Sequence, residues 1–144
     1  IILAISLPEP FHLSGPYSIN NFIIFIVALV LGLFLVTALN LFMHILTMFT
    51  LDEKGSMTTY SVIADIFMGG TVPIPFFPTW LKHIAEFLPF RFIGDFPFRI
   101  YSNSIPLEEG YILIIGSIIW IIITISLGYL ISRVSLRKAV IQGG

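Results

Sequence analysis

Long apolar stretches alternate with short polar breaks along this chain. Between Asn21 and Thr50 no side chain carries a formal charge, and Phe22 to Val36 is apolar throughout apart from Gly32. About 20 apolar residues in a helix cross a hydrocarbon core about 30 Å thick, so residues 21–50 predict a transmembrane helix. A second stretch, Gly55 to Pro75, contains Thr58, Ser61 and Asp65 and finishes in Gly69-Gly70-Thr71-Val72-Pro73. It predicts a less apolar span over residues 56–75, joined to the first by a turn at 51–55. The third, Gly110 to Ser132, is a clean span. Its isoleucines do not argue for a strand, because an isolated strand would leave backbone groups unpaired in lipid.

Between the second and third spans, residues 76–109 fit neither a loop nor a crossing. The neighbourhood from Pro73 to Pro106 holds six of the nine prolines, Pro73, Pro75, Pro78, Pro89, Pro97 and Pro106, and the aromatics Phe76, Phe77, Trp80, Phe87, Phe90, Phe92, Phe96, Phe98 and Tyr101. Aromatics of this kind favour the headgroup level. Thr79 predicts the cap of a short amphipathic helix from Trp80 to Leu88, with Trp80, Ile84 and Leu88 on one face and Lys82 and Glu86 paired at i and i+4 on the other. A second piece, Phe90 to Tyr101, is broken by Gly94 and Pro97 and carries Arg91, Asp95 and Arg99. Both belong in the interface or partway into it, as a re-entrant external hairpin.

The chain opens Ile1-Ile2-Leu3-Ala4-Ile5 with no Met and no basic stretch, unlike a signal peptide. Residues 1–7 are expected to be the end of a span that begins outside this sequence, stopped by Pro8 and Pro10, with an external loop over 8–20.

Composition turns these stretches into membrane spans. Of 144 residues, 57% are apolar and 10% charged, with a mean hydropathy of +1.01, whereas soluble domains carry about 25% charged residues. A water-soluble fold is excluded. A net charge of -1 and a pI near 6.3 give no footprint for nucleic acid. The absence of cysteine removes disulfides, thiolate metal sites and a cysteine nucleophile.

Orientation follows from basic residues beside the spans. The tail at 133–144 carries Arg133, Arg137 and Lys138 with no acid, which predicts a cytoplasmic C-terminus and a cytoplasmic Asp52-Glu53-Lys54 turn, with residues 8–20 and the hairpin outside. Lys82, Arg91 and Arg99 alternate with Glu86, Asp95, Glu108 and Glu109, so they read as local ion pairs.

Polar residues inside spans are the candidate machinery. An exposed carboxylate in mid-span costs on the order of 2.5 to 3.5 kcal/mol, so Asp65 is expected to face protein or a watery cavity. It takes part in a path or gate, makes a structural bond to Thr or Ser hydroxyls, or sits near the cytoplasmic water. Thr58, Ser61, Asp65 and Gly69 form one small, polar stripe, Ala28, Gly32, Val36, Asn40 and His44 a second at i+4 steps, and Ser117, Thr124 and Gly128 a third. Asn40 and His44 stand as interhelical bonding partners or substrate ligands, and Gly32, Gly116 and Gly128 as packing positions. Arg91, Asp95 and Arg99 are expected to hold the hairpin as a charge network, with cargo contact as the alternative. Enzymatic readings find less support: His83 and Glu86 have H-x-x-E spacing, but His12 and His44 do not demonstrably converge on them as metal ligands. Gly116-Ser117 lacks a nucleophile's turn, Glu108-Glu109 lacks its partners, and no phosphate-binding loop exists.

The run GGTVPIPFFPTWLKHIAEFLPFRFIGDFPFRIYSNSIP, followed by a hydrophobic span and the ending RKAVIQGG, resembles the C-terminal half of an ABC-2 type transporter permease. In that family a phrase G-x-x-[IV]-P-[IL]-x-x-[FL]-P-x-W-L closes the penultimate span, and LPF followed by P-x-R-I-Y belongs to external helices before the last one. Here the first runs from the Gly69-Gly70 pair to Leu81, including Pro73, Pro75, Pro78 and Trp80, followed by Leu88-Pro89-Phe90 and Pro97-Phe98-Arg99-Ile100-Tyr101. The match covers the chain from the second span onward; the first span agrees in position only. The resemblance implies a six-span exporter permease of a bacterial cell membrane, pairing with an identical or different second half around a path. It also implies a separate ATP-binding subunit carrying ATP and Mg, with no cofactor on this chain. The family's N-terminal interfacial helix and first coupling loop have no counterpart in this sequence. The expectation is an all-α polytopic membrane protein, a non-enzymatic permease subunit; the rival reading is a membrane subunit that anchors or assembles a complex without transport.

Overall fold

The computed structural model describes residues 17–50 and 52–142. The expected span at 1–7 and most of the loop at 8–20 lie outside these residues. Helix α1 is Ile19–Thr47. Ser18 caps it: its Oγ accepts from the Asn21 amide at 3.1 Å and donates to Asn21 Oδ1 at 2.8 Å. At 29 residues it is about 44 Å long, enough to cross a bilayer.

Helix α2, Glu53–Phe67, is capped by Asp52, whose carboxylate accepts from the Gly55 amide at 2.9 Å. The sequence pattern carried this element on to residue 75, but the helix stops after 15 residues, about 22 Å. Its end is a Schellman turn: the Gly69 amide bonds Ile66 O at 3.1 Å and the Gly70 amide bonds Asp65 O at 3.0 Å. Gly69 takes the left-handed φ of +80° that this turn requires. Pro73 then opens a 3-10 turn, Ile74–Phe76.

Helix α3, Thr79–Phe87, begins one residue before the position expected, and Pro78 rather than Thr79 is its cap. Thr79 is already helical, and the Pro78 carbonyl accepts from the Leu81 and Lys82 amides, both at 2.9 Å. The Lys82 to Glu86 pair forms, at 3.9 Å. A 3-10 turn at Pro89–Phe92 leads to helix α4, Asp95–Tyr101, and then to α5, Leu107–Gln142. The apolar pattern placed a boundary at Ser132, where charges begin. The helix runs ten residues further, because Arg133 to Gln142 contains neither glycine nor proline to stop it.

Helices α1 and α5 run parallel. Gly110 packs on Ile100 and Ile24 at one end, and Gly128 on Phe42 and Ile45 at the other. From Asn21 to Leu39 the buried face of α1 is Asn21, Ile24, Ala28, Gly32, Leu35 and Leu39, whose spacing averages about 3.6 residues, one helical turn. The i+4 stripe diverges from this face because each step of four advances 40° too far. Ala28 and Gly32 are buried, whereas Asn40 and His44 have rotated to the exposed side. On α5 the buried face includes Ser117, Thr124 and Gly128, the expected stripe.

The segment 89–101 packs against both long helices. Phe92, Phe96 and Ile100 join Ile24, Ala28 and Leu35 of α1 and Leu113 of α5 in one core. Asn21, fully buried, donates through Nδ2 to Ile100 O at 3.0 Å and to Asn103 Oδ1 at 3.2 Å, while the Phe92 and Ile93 backbone lies against Gly32. From Asn21 to Gly32 is 11 residues of α1, so the segment descends about 16 Å along that helix. There it meets α2 as it rises from the opposite end: Phe90 stacks near Phe67, with centroids 6.4 Å apart, and near Tyr60 at 6.1 Å.

Candidate functional site

Where the end of α2 meets α4 and the first turns of α1, a cavity of about 1020 Å³ opens. Phe22 and Phe25 of α1 and Phe98 and Tyr101 of α4 give it aromatic walls, with Tyr101 5.0 Å from Phe25 between ring centroids. Gly69, Gly70, Pro73 and Pro75 form its rim, and Asp65, Asp95 and Arg99 supply its charge.

Asp65 occupies the last turn of α2 rather than a mid-span position. A carboxylate there opposes the helix dipole by about 0.3 to 1 kcal/mol, so it does not serve the helix. It accepts a hydrogen bond from Thr71 Oγ1 at 2.7 Å and is exposed to the cavity. A Cβ on Gly70 would press on this carboxylate, so a larger residue there would displace the Asp65 side chain.

Asp95 and Arg99 sit one turn apart on α4 and pair at 3.4 Å. The Asp95 side chain is only 5% exposed; burial raises its pKa, and the Arg99 charge and hydrogen bond pull it partly back. Arg91 does not join them as an ion pair. Gly94 interrupts the helix between residues 91 and 95, so the i+4 relation fails. Arg91 is buried, donating through Nη1 to the Glu86 carbonyl at 3.1 Å at the end of α3, with its Nε unsatisfied among the described residues and its guanidinium 5.7 Å from the Phe92 ring centroid. Burial lowers its pKa.

The remaining expected site residues divide by location. Ser61 donates to Thr58 O at 2.9 Å on the exposed face of α2. His44 lies 3.6 Å from Glu53 where α1 gives way to α2, both well exposed, and Asn40 is exposed one turn earlier. Of the motif residues, Gly70, Pro73, Pro75 and Tyr101 line the cavity. Pro89, Phe90 and Pro97 are buried in the hairpin, and Trp80 is 66% exposed beside exposed Phe76, Ile84 and Phe87. The structure thus gathers Asp65, Asp95 and Arg99, leaves Asn40, His44 and Ser61 elsewhere, and buries Arg91 apart. Sequence reasoning missed Phe22, Phe25 and Phe98 as cavity walls and Asn21 as the buried tie to the hairpin; for Asn21 the available signal was an amide at the start of an otherwise apolar helix. Among the described residues no group of three or more His, Asp or Glu could hold a metal ion.

Two helices long and apolar enough to cross a membrane, parallel and joined through an aromatic hairpin, define an all-helical integral membrane protein. The chain belongs to the ABC-2 family transporter proteins, whose family model matches residues 16–143. The chain is therefore a membrane permease component of an ABC transporter. Comparison with curated proteins and with solved structures gave no match.

Proposed function

We propose that this chain is the membrane-spanning subunit of an ATP-driven exporter, forming half of a substrate path with a second permease copy or homologue and driven by a separate ATP-binding subunit. The observation that carries this reading is the cavity bounded by Asp65, Asp95, Arg99 and the Gly70 to Pro75 phrase, in a chain of the permease family. The polar face of α2, with Thr58, Ser61 and Asp65 exposed, finds no cover among the described residues, which fits a path or partner there. The hairpin at 76–109 is proposed to be re-entrant. Helix α2 is too short to cross a core of about 30 Å alone, and a segment descending about 16 Å from the other side along α1 supplies the missing height. In this arrangement the cavity opens outward, the hairpin gates its exit, and the cell-membrane protein keeps its C-terminus in the cytoplasm.

Export by the assembled transporter tests the role of Asp65. Asp65→Leu removes the charge and the acceptor for Thr71, and export should fall at least tenfold at unchanged expression; Asp65→Asn retains an acceptor and should lose less. Wild-type export at normal expression in both variants would show that Asp65 neither lines the path nor is needed structurally. Cysteine labelling with an impermeant reagent tests the orientation. Ser102→Cys should react in intact cells and Ser135→Cys only after permeabilisation, and the reverse pattern would invert the topology.

A further inference from the structure

Away from the hairpin, α1 and α5 leave between them a groove of about 240 Å³, walled by Ala38, Phe42 and Ile45 on one side and Gly128, Tyr129 and Ser132 on the other. Gly128 makes the hollow: a Cβ there would meet only Ile45 Cδ1 at 3.7 Å and Phe42 Cδ2 at 3.8 Å. The surfaces flanking it are apolar and open, with Leu41 63% and Ile125 58% exposed, as expected for helices facing hydrocarbon. One end is different. Arg133, at the end of the apolar run Leu107–Val134, lies over the Tyr129 ring with its guanidinium carbon 4.9 Å from the centroid. Among the described residues its cation is within ion-pair distance of no carboxylate.

We propose that this groove holds an acyl chain of an anionic glycerophospholipid whose phosphate is bound by Arg133. Charge complementarity selects the occupant. A hydrocarbon tail fills the apolar hollow over Gly128, and a guanidinium at the headgroup level presents forked donors that match a phosphodiester's oxygens. The Tyr129 ring holds the cation at the mouth of the groove, and the Ser132 side chain lines that same end. The eight residue steps from Thr124 to Ser132 give the groove a length of about 12 Å along α5. A tail can therefore lie along the helices while its headgroup stays at the water boundary. A neutral phospholipid offers the same tail but brings its own cation, which weakens the attraction to Arg133.

Native mass spectrometry of the full-length subunit, released from mixed phosphatidylglycerol and phosphatidylcholine, tests this. The wild type should retain one phosphatidylglycerol about fivefold over phosphatidylcholine, the preference that one basic residue near the surface provides. Arg133→Gln should bring the ratio close to one while still retaining lipid. Gly128→Leu, which fills the hollow, should lose bound lipid of both kinds; Ala38→Leu on the facing wall serves if the first variant does not fold. An unchanged ratio in Arg133→Gln, unchanged retention in a folded groove-filled variant, or a folded wild type with no retained lipid would each overturn the assignment.

Discussion

A leucine at Gly94 should leave little folded permease. The glycine lies where the hairpin passes over the end of α2, and a Cβ built there would stand 2.6 Å from the Met68 carbonyl oxygen. Its φ of -111° is open to any residue, so space, not backbone freedom, excludes a side chain. The obstacle is main chain at the C-cap of α2 and cannot rotate away. Alanine should cost about 1 to 3 kcal/mol, as overpacking does, and leucine more, by driving the hairpin away from α2. Gly128→Ala is the control, since its Cβ meets nothing closer than 3.7 Å. Thermal unfolding in detergent and the yield of monodisperse protein read the difference. Gly94→Leu matching the wild type in both would refute the close packing of hairpin on α2.

Arg99→Met should be the most damaging change that adds no bulk. It strands the Asp95 carboxylate, whose side chain is 5% exposed and whose ion-pair partner at 3.4 Å is Arg99, and removing one member of a buried pair costs about 3 kcal/mol. The loss should depend on pH. Burial raises the Asp95 pKa and Arg99 is the main influence lowering it, so without Arg99 the pKa climbs further. Between the unfolded and folded values the folded state binds more protons, and stability therefore falls as pH rises through that window. The variant should be weakest at neutral pH and recover in mild acid, and Asp95→Asn added to Arg99→Met should abolish the recovery. Unfolding temperatures measured across pH read this directly; a flat profile for the single variant, or a wild-type unfolding temperature, would show that the pair contributes nothing.

The two long helices were legible because an uncharged run in a membrane chain leaves few alternatives. The end of α2 was written in the sequence as Gly69-Gly70 followed by Pro73, a Schellman turn with its stop, but hydropathy continues through it, and counting apolar residues carried the element too far. Asn40 and His44 were grouped with Ala28 by steps of four, which ignore the 40° gained at each step. Arg91 was grouped with Asp95 and Arg99 by charge, although Gly94 breaks the helix that would align them. The pairing of Asp95 with Arg99 succeeded because both stand on one helix at i and i+4. The cavity could not be read at all from sequence, since Phe22 and Phe25 meet Phe98 and Tyr101 only through long-range packing, which period and composition do not encode.

The last helix also has mechanical properties. Its 36 residues make a rod about 54 Å long, well beyond the roughly 30 Å of hydrocarbon. It contains no proline, and sharp kinks otherwise arise at Gly/Ser pairs or π-bulges. At its Gly116-Ser117 pair Phe92 of the hairpin packs against Gly116, while Ser117 Oγ donates back to Leu113 O at 2.9 Å within the same helix. The contact with Phe92 divides this rod into about 14 Å back to Leu107 and about 39 Å on to Gln142. Were the helix to pivot there as a rigid rod, a displacement of about 1 Å at Leu107 would become about 3 Å at Gln142.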